Sequence, residues 1–259
     1  MINNEVSVAM SDCSLGAYDY YQRLSHYFHG RGIDPGNYKL PSSCRKSYNT
    51  DVVVSSSVPE KYQWLFERLA NYSLIHPELI ENVIVQGSYG DFTNTAYSDL
   101  DIIVFLNQSI VENNKDRAKF KAFLRREMMP FIYSIDPLQH HGVFLLWPEL
   151  CNCYLEKILP LLVYSRSWAV KQMNMRFTCI STKSAPKLPG LLQTISSEYK
   201  RARTSKNFYY IKQFTSHIMM VPCIYFMDQG TYLHKSESFA PFIRKFQSTA
   251  QLLLSLIHI

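Results

Sequence analysis

The sequence has little cysteine and little glycine for its length, six and nine residues respectively in 259. The cysteines form no C-x-x-C pair, and the nearest two, Cys151 and Cys153, have no further metal ligands at a suitable spacing. This pattern argues against a zinc knuckle and a disulfide framework, so we interpret the cysteines as reduced and mostly buried thiols. The scarcity of glycine gives weight to any place where two glycines lie close together.

The sequence also lacks a long uninterrupted apolar run. Charged residues or proline interrupt the most apolar stretches before they reach the roughly 20 residues that a spanning helix needs. The first 13 residues contain acidic positions and no long apolar segment, which argues against a secretory signal. We therefore expect a cytoplasmic protein without a membrane anchor.

Charge of either sign is moderate. The formal net charge is +6, charged residues make up 19% of the chain, and hydrophobic residues make up 47%. Such a composition is typical of a folded globular protein and excludes a disordered one. The basic surplus fits a polyanionic ligand but is smaller than that of a domain that coats nucleic acid.

Apolar periodicity predicts an α+β fold in three parts. Residues 1–57 are predicted to be a lead-in with one helix at 16–28 and then a loop, and residues 58–148 to be a domain with a mixed sheet and flanking helices. Strands are predicted at 83–85, 100–106 and 142–147, and helices from a capping box at 57–60 to about residue 72 and over 115–128.

Residues 149–259 are predicted to be a helical bundle, with helices at 151–172, 188–203, 207–228 and 239–254. Gly230 suits a helix C-cap. The uncapped apolar tail indicates a truncated C-terminus.

The segment VIVQGSYGDFTNTAYSDLDIIVF combines an apolar strand, a Gly-Ser turn, a polar loop and Asp-Leu-Asp at the start of a second apolar strand. Side chains two apart on a strand point the same way, so Asp99 and Asp101 are predicted to present two carboxylates in one direction, while Leu100 points into the core. Mg²⁺ prefers carboxylate, water and phosphate oxygens. The pair therefore predicts a magnesium site.

The Gly-Ser turn supplies a complementary phosphate site. Gly87 has no Cβ and allows a close approach of the backbone to a phosphate, while backbone N–H groups and the Ser88 hydroxyl can donate hydrogen bonds to its oxygens. Gly87 and Gly90 bracket this single turn, which indicates a constrained backbone. Metal and triphosphate are predicted to meet here. The alternative is an ordinary turn at a strand edge, where Asp and Ser are common.

This segment resembles the signature of the nucleotidyltransferase superfamily, which includes polymerase-beta-like, nucleotide-adding and antibiotic-modifying enzymes. The resemblance is specific over residues 83–106, and the helical second half resembles the bundle that many members append. It implies that Gly87 and Ser88 hold a nucleoside triphosphate (NTP), and that Asp99 and Asp101 are catalytic and hold Mg²⁺. It further implies transfer of a nucleoside monophosphate to a hydroxyl acceptor on a small molecule, a protein or RNA.

One feature departs from the family pattern. Members that catalyse transfer usually carry a third carboxylate on the next strand, whereas this strand reads QHHGVFLLWPEL, with Asp136 before it and Glu149 near its end. His140 or His141 could replace the carboxylate as base or ligand, because imidazole titrates near neutral pH. The alternative function is therefore a catalytically weak or inactive nucleotide-binding or antitoxin-like module.

Overall fold

A computed structural model describes residues 46–139, 141–152, 154, 159–181 and 187–246. The chain divides into two compact units between Lys183 and Ser184. The first unit contains the strands and the second contains helices, which confirms the predicted α+β class. The predicted helix at 16–28 and the end of the helix predicted at 239–254 lie outside the described residues, as does His140.

The elements of the first unit follow one another in a mixed order. They are β1 (Lys46–Val54), α1 (Gln63–Ile75), β2 (Ile80–Gln86), α2 (Gly87–Gly90), β3 (Asp101–Leu106), α3 (Gln108–Glu112), α4 (Asn114–Phe123), α5 (Met129–Ile135), β4 (Phe144–Leu146), α6 (Pro148–Cys151), β5 (Trp168–Ala169) and β6 (Met173–Ser181). A 3-10 turn at Glu60–Tyr62 precedes α1, a π-helical turn at Leu124–Met128 joins α4 to α5, and a 3-10 helix at Leu161–Arg166 precedes β5. The second unit contains α7 (Leu188–Ser205), α8 (Phe208–Asp228) and α9 (Lys235–Lys245).

Four strands form the central sheet in the order β4-β3-β2-β5. Strand β2 is antiparallel to β3 and β5, and β3 is parallel to β4. The three strands predicted for this region are confirmed. Both faces of the sheet are buried, one in a cluster with Val83 and Ile102 and the other in a cluster with Ile84 and Ile103. Burial on both faces explains why these strands read as continuous apolar runs.

The loop predicted up to residue 57 is wrong for residues 46–54. They form β1, which pairs antiparallel with β6 in a separate two-stranded sheet that joins Lys46 to Ser181 and Val54 to Met173. Local sequence shows little of this pairing because the partner strand lies far along the chain. The β-branched run Val52-Val53-Val54 is the only local signal.

The helix predicted at 151–172 is also wrong. Where this segment is described, it contains the end of α6, the 3-10 helix before β5 and then β5 itself. Short apolar runs do not distinguish a buried strand from a helix, and Trp168 and Ala169 are fully buried in the sheet. The following strand β6 does alternate, with Met175, Phe177 and Cys179 buried. The strands after residue 148 thus extend the first unit.

The helix predicted from the capping box begins later than expected. The 3-10 turn starts after Pro59, whose carbonyl accepts the Tyr62 N–H at 2.9 Å without a side-chain cap, and α1 starts at Gln63 and ends at Ile75. Proline fixes its own φ and starts the turn without a side-chain cap. The helix predicted at 115–128 is confirmed, but it continues through the π-helical turn and α5 to Ile135. Pro130, which has no N–H to donate, lies in the first turn of α5, just after the π-helical turn.

The second unit confirms the helices predicted at 188–203 and 207–228, as α7 and α8. The carboxylate of Asp228 accepts hydrogen bonds from the backbone N–H groups of Lys187 and Leu188, at 2.9 and 2.8 Å, and so joins the end of α8 to the start of α7. Gly230 follows α8 with φ +80°, as its predicted C-cap position requires. Among the described helices, none is long and apolar enough to cross a membrane.

Candidate active site

The ladder between β2 and β3 brings the two halves of the motif together. Gln86, the last residue of β2, pairs directly with Asp101, the first residue of β3. Gly87, the next residue, therefore lies at the same end of the ladder as Asp101. Leu100 is fully buried, whereas the side chains of Asp99 and Asp101 are 14% and 27% exposed. The predicted alternation of carboxylates and core leucine is present.

Gly87 is in contact with the Asp101 carboxylate. Its φ is +64°, in the left-handed region, and a Cβ built on it would lie 2.2 Å from Oδ2 of Asp101. A side chain at position 87 would displace this carboxylate, and it would also strain the backbone. The glycine thus lets the turn and the carboxylate occupy adjacent positions, which is the arrangement that a shared phosphate and metal site needs.

The turn continues into α2, a single turn of helix with two supports from elsewhere in the unit. The indole Nε1 of the buried Trp168 donates a hydrogen bond to the backbone oxygen of Tyr89 at 3.1 Å. A Cβ on Gly90 would lie 2.8 Å from the Val85 carbonyl oxygen and 2.9 Å from that of Arg166. Sequence reasoning identified Gly90 as part of a constrained turn but missed Trp168, which lies in the segment wrongly predicted to be helical.

Ser88 lies half-buried in the first turn of α2. The N-cap residue Gln86 makes no side-chain capping bond, and the first N–H groups of a helix have no acceptor within it. The Ser88 carbonyl accepts the Thr93 N–H at 2.8 Å, which folds the following loop back over the turn. The N–H groups of this turn and the Ser88 hydroxyl are suitable donors for phosphate oxygens.

His141 occupies the position opposite the two aspartates. Its Nε2 lies 2.9 Å from Oδ1 of Asp101 and 3.6 Å from Oδ2 of Asp99. Burial alone lowers the pKa of His141, but the charge of Asp101 and hydrogen bonds to Asp101 and Asp99 raise it well above its usual value. The site therefore contains two carboxylates and one imidazole. Of the two histidines proposed for the third position, His141 is in contact with both aspartates.

Gln139 is a residue that sequence reasoning missed. Its side chain is buried, and its Oε1 accepts the Leu100 N–H at 3.1 Å while its Nε2 donates to the Leu100 carbonyl at 3.2 Å. The Gln139 amide thus makes with the Leu100 backbone the two hydrogen bonds that a neighbouring strand would otherwise make. The same Nε2 lies 3.1 Å from Nδ1 of His141. One side chain therefore positions the backbone of both carboxylates and contacts the imidazole.

We expect Gln139→Leu to weaken the binding of a divalent metal and also to lower the free energy of unfolding. The substitution keeps the size of the side chain but leaves the buried Leu100 N–H and carbonyl without these partners, at a cost of about 1–3 kcal/mol of unfolding free energy for each group left unsatisfied. Calorimetric titration with Mg²⁺ and thermal denaturation measure the two effects. Gln108→Leu, on the surface helix α3, is the matched control. Unchanged metal binding in Gln139→Leu would contradict the positioning role.

The residues present fit a hydrated divalent cation. Gln86 faces the same side of the ladder as its partner Asp101, and its buried Oε1 accepts no hydrogen bond from the described residues, so it could accept one from metal-bound water. Within the described ranges no three acidic, histidine or cysteine side chains form a complete metal site. Two carboxylates, with water and substrate phosphates completing the octahedron, match the chemistry of Mg²⁺.

The acidic residues that flank the third strand are placed differently. Asp136 is buried, and its Oδ1 accepts the Leu138 N–H at 3.0 Å in the turn after α5. Glu149 lies in the first turn of α6, beyond β4. Neither residue lies on β4, where the family pattern would place a third carboxylate.

Comparison with known proteins returns no match: no protein-family model, no curated protein and no solved structure matches the chain. The assignment to the nucleotidyltransferase superfamily therefore stays a prediction that depends on residues 83–106.

Proposed function

We propose that the protein is a Mg²⁺-dependent nucleotidyltransferase that moves a nucleoside monophosphate from an NTP to a hydroxyl acceptor. The observation that carries the proposal is the contact between Gly87 and the Asp101 carboxylate at the end of the β2–β3 ladder. This contact supports a shared site in which the turn would bind phosphate and the neighbouring carboxylate would bind the metal. Asp99 belongs to the same group through the shared contact with His141.

In the proposed reaction the acceptor oxygen forms a bond to the α-phosphorus of the NTP. The bond from that phosphorus to the oxygen that bridges to the β-phosphate breaks, and pyrophosphate leaves with the electron pair. Bound Mg²⁺ would offset the negative charge of the phosphates. Asp99 and Asp101 would hold the ion, and Gly87 and Ser88 would bind the phosphate oxygens. Because the charge of Asp101 raises the pKa of His141, an ion held by Asp101 would lower that pKa, and the neutral imidazole would accept the proton of the acceptor hydroxyl.

The test is an incorporation assay with NTPs labelled at the α-phosphate. The purified full chain is incubated with Mg²⁺, each of the four NTPs and panels of small hydroxyl compounds, proteins and RNA, and pyrophosphate release is measured in parallel. The proposal predicts label transfer and stoichiometric pyrophosphate. Nucleotide binding without transfer to any acceptor, including the protein itself, would contradict it.

A second candidate function is a nucleotide-binding module that does not catalyse transfer. The observation that favours it is His141, whose imidazole interacts with Asp101 where an active family member usually has a carboxylate. A module of this kind would bind NTP and metal through the same residues. An antitoxin-like role would require binding alone. A measurement of turnover therefore distinguishes this module from the enzyme.

Substitution of His141 distinguishes the two functions. If His141 accepts the proton, His141→Gln lowers the rate of transfer by about 10²- to 10⁴-fold, the range typical of general-base catalysis, while NTP binding is largely retained. Single-turnover kinetics measure the rate, and His76→Gln, whose imidazole contacts Glu127 and Phe123, serves as the control. An unchanged rate in His141→Gln would exclude the proposed role of this imidazole.

A further inference from the structure

The junction of α7 and α8 carries a group of cations and exposed aromatic rings that the candidate active site does not use. We call residues 199–212 the hairpin tip. Its five cations are Lys200, Arg201, Arg203, Lys206 and Lys212. The sequence contains no Asp or Glu from residue 199 to residue 227. The hairpin tip is therefore a strongly positive part of a chain whose net charge is only +6.

Aromatic side chains lie among these cations. Phe208 is 75% exposed and Tyr199 is 48% exposed, although both are large apolar rings. The Arg201 guanidinium lies over the ring of Tyr210, 5.3 Å from its centroid, and Tyr210 also contacts Tyr209. The tip thus presents exposed rings and an arginine already stacked on a ring.

The helix dipole does not account for this composition. Cations near the C-terminus of α7 interact favourably with the dipole, which could explain Lys200, Arg203 and Lys206. Lys212, however, lies in the second turn of α8, beyond the first turn over which the dipole acts, so the dipole does not account for it. The dipole also gives no reason for Phe208 to remain exposed in the first turn of that helix.

The neighbouring acidic residue is turned away from the surface. Glu198 is buried, and its Oε2 lies 2.7 Å from Nδ1 of His217 between α7 and α8. Its carboxylate is therefore engaged inside the helix pair. The charge of the exposed tip remains positive.

We propose that the hairpin tip binds single-stranded nucleic acid. Cations that follow a phosphate backbone, interleaved with exposed rings on which bases stack, are the two features that such surfaces combine. A duplex would engage the cations but would offer no unstacked base to Phe208. The proposal does not depend on the function proposed above, because it uses none of the residues of the candidate active site.

The first experiment measures the contribution of charge. The full chain is titrated against fluorescein-labelled 12-nucleotide oligouridylate and oligothymidylate, with fluorescence anisotropy as the readout. If three to five phosphates are contacted, affinity falls about 20- to 100-fold between 50 and 200 mM salt. The triple variant Lys200→Gln, Arg203→Gln, Lys206→Gln lowers the slope of log affinity against log salt by about 2.

The matched control removes the same charge from the first unit. The variant Lys115→Gln, Lys119→Gln, Arg126→Gln changes three cations of α4 and the π-helical turn that follows it. We expect its affinity to stay within about twofold of the original and its salt slope to be unchanged. An equal loss in both triple variants would show that net charge alone attracts the oligonucleotide, and it would overturn the proposal.

The second experiment tests stacking. Phe208→Ala is expected to weaken binding of the single strand at least about fivefold, the lower end for loss of one base–aromatic stack, while Phe208→Tyr retains it. Leu192→Ala, an exposed apolar position on α7, is the control. Circular dichroism melts check that each variant is folded. Undiminished affinity in Phe208→Ala would contradict the proposal, as would equal competition by duplex or heparin or preferential binding to anionic lipid vesicles.

Discussion

Asp101→Asn is expected to reduce nucleotide transfer by about 10³- to 10⁴-fold. A metal that neutralises phosphate charge contributes several kcal/mol to the transition state, and each 1.36 kcal/mol corresponds to a factor of ten in rate. Asparagine keeps the shape of the side chain but removes the negative charge that holds the cation. The same substitution leaves Gly87 in contact with a side chain of equal size. The fold around the turn should therefore be preserved.

The matched control for this prediction is Asp51→Asn. Asp51 is an exposed carboxylate on β1 and pairs with Arg176 across the two-stranded sheet. We expect the control to transfer nucleotide at the original rate, and Asp99→Asn to behave as Asp101→Asn does. Single-turnover incorporation at saturating NTP and Mg²⁺ measures the rate. A loss of less than tenfold in Asp101→Asn would show that this carboxylate does not hold a catalytic metal.

Gly87→Ala is expected to lower affinity for NTP and Mg²⁺ by about 100-fold or more. Its Cβ would overlap Oδ2 of Asp101, so the carboxylate would have to leave its position. The left-handed φ of +64° adds about 1–2 kcal/mol of backbone strain to the folded state. Both effects act where phosphate and metal are proposed to meet. Calorimetric titration of NTP with Mg²⁺ measures the affinity.

Gly90→Ala provides the comparison, because the same chemical change meets different neighbours. Its Cβ would approach the carbonyl oxygens of Val85 and Arg166, which are backbone atoms and cannot rotate away. We expect a lower melting temperature from about 1–3 kcal/mol of overpacking, with NTP affinity retained in the folded protein. If Gly90→Ala lost NTP affinity while Gly87→Ala kept it, the assignment of Gly87 to the phosphate site would be wrong.

Much of the sheet that positions the candidate site could be predicted from the sequence. Strands β2, β3 and β4 are apolar runs bounded by turn residues, and the spacing of Asp99, Leu100 and Asp101 predicts which of them is buried. Helices α7 and α8 follow from apolar periodicity. These features depend on residues close to one another in the chain, which is the range over which sequence patterns carry information.

The supports of the site could not be predicted, because they are contacts over long distances in sequence. Gln139 bonds to Leu100 across 39 positions, and Trp168 bonds to Tyr89 across 79. Both bonds go to backbone atoms, so no complementary side chain marks them in the sequence. The pairing of β1 with β6 spans an even longer distance in sequence. His141 was one of two candidates by sequence, and the structure shows its contact with both aspartates.

We propose that Asp99 and Asp101 hold a divalent cation beside a triphosphate bound at Gly87 and Ser88. Isothermal titration calorimetry with an NTP analogue that carries a methylene group between the α- and β-phosphates tests it without turnover. We expect binding that requires Mg²⁺ and disappears in the double variant Asp99→Asn, Asp101→Asn. Equal affinity in the presence of EDTA, or equal affinity in the double variant, would contradict it.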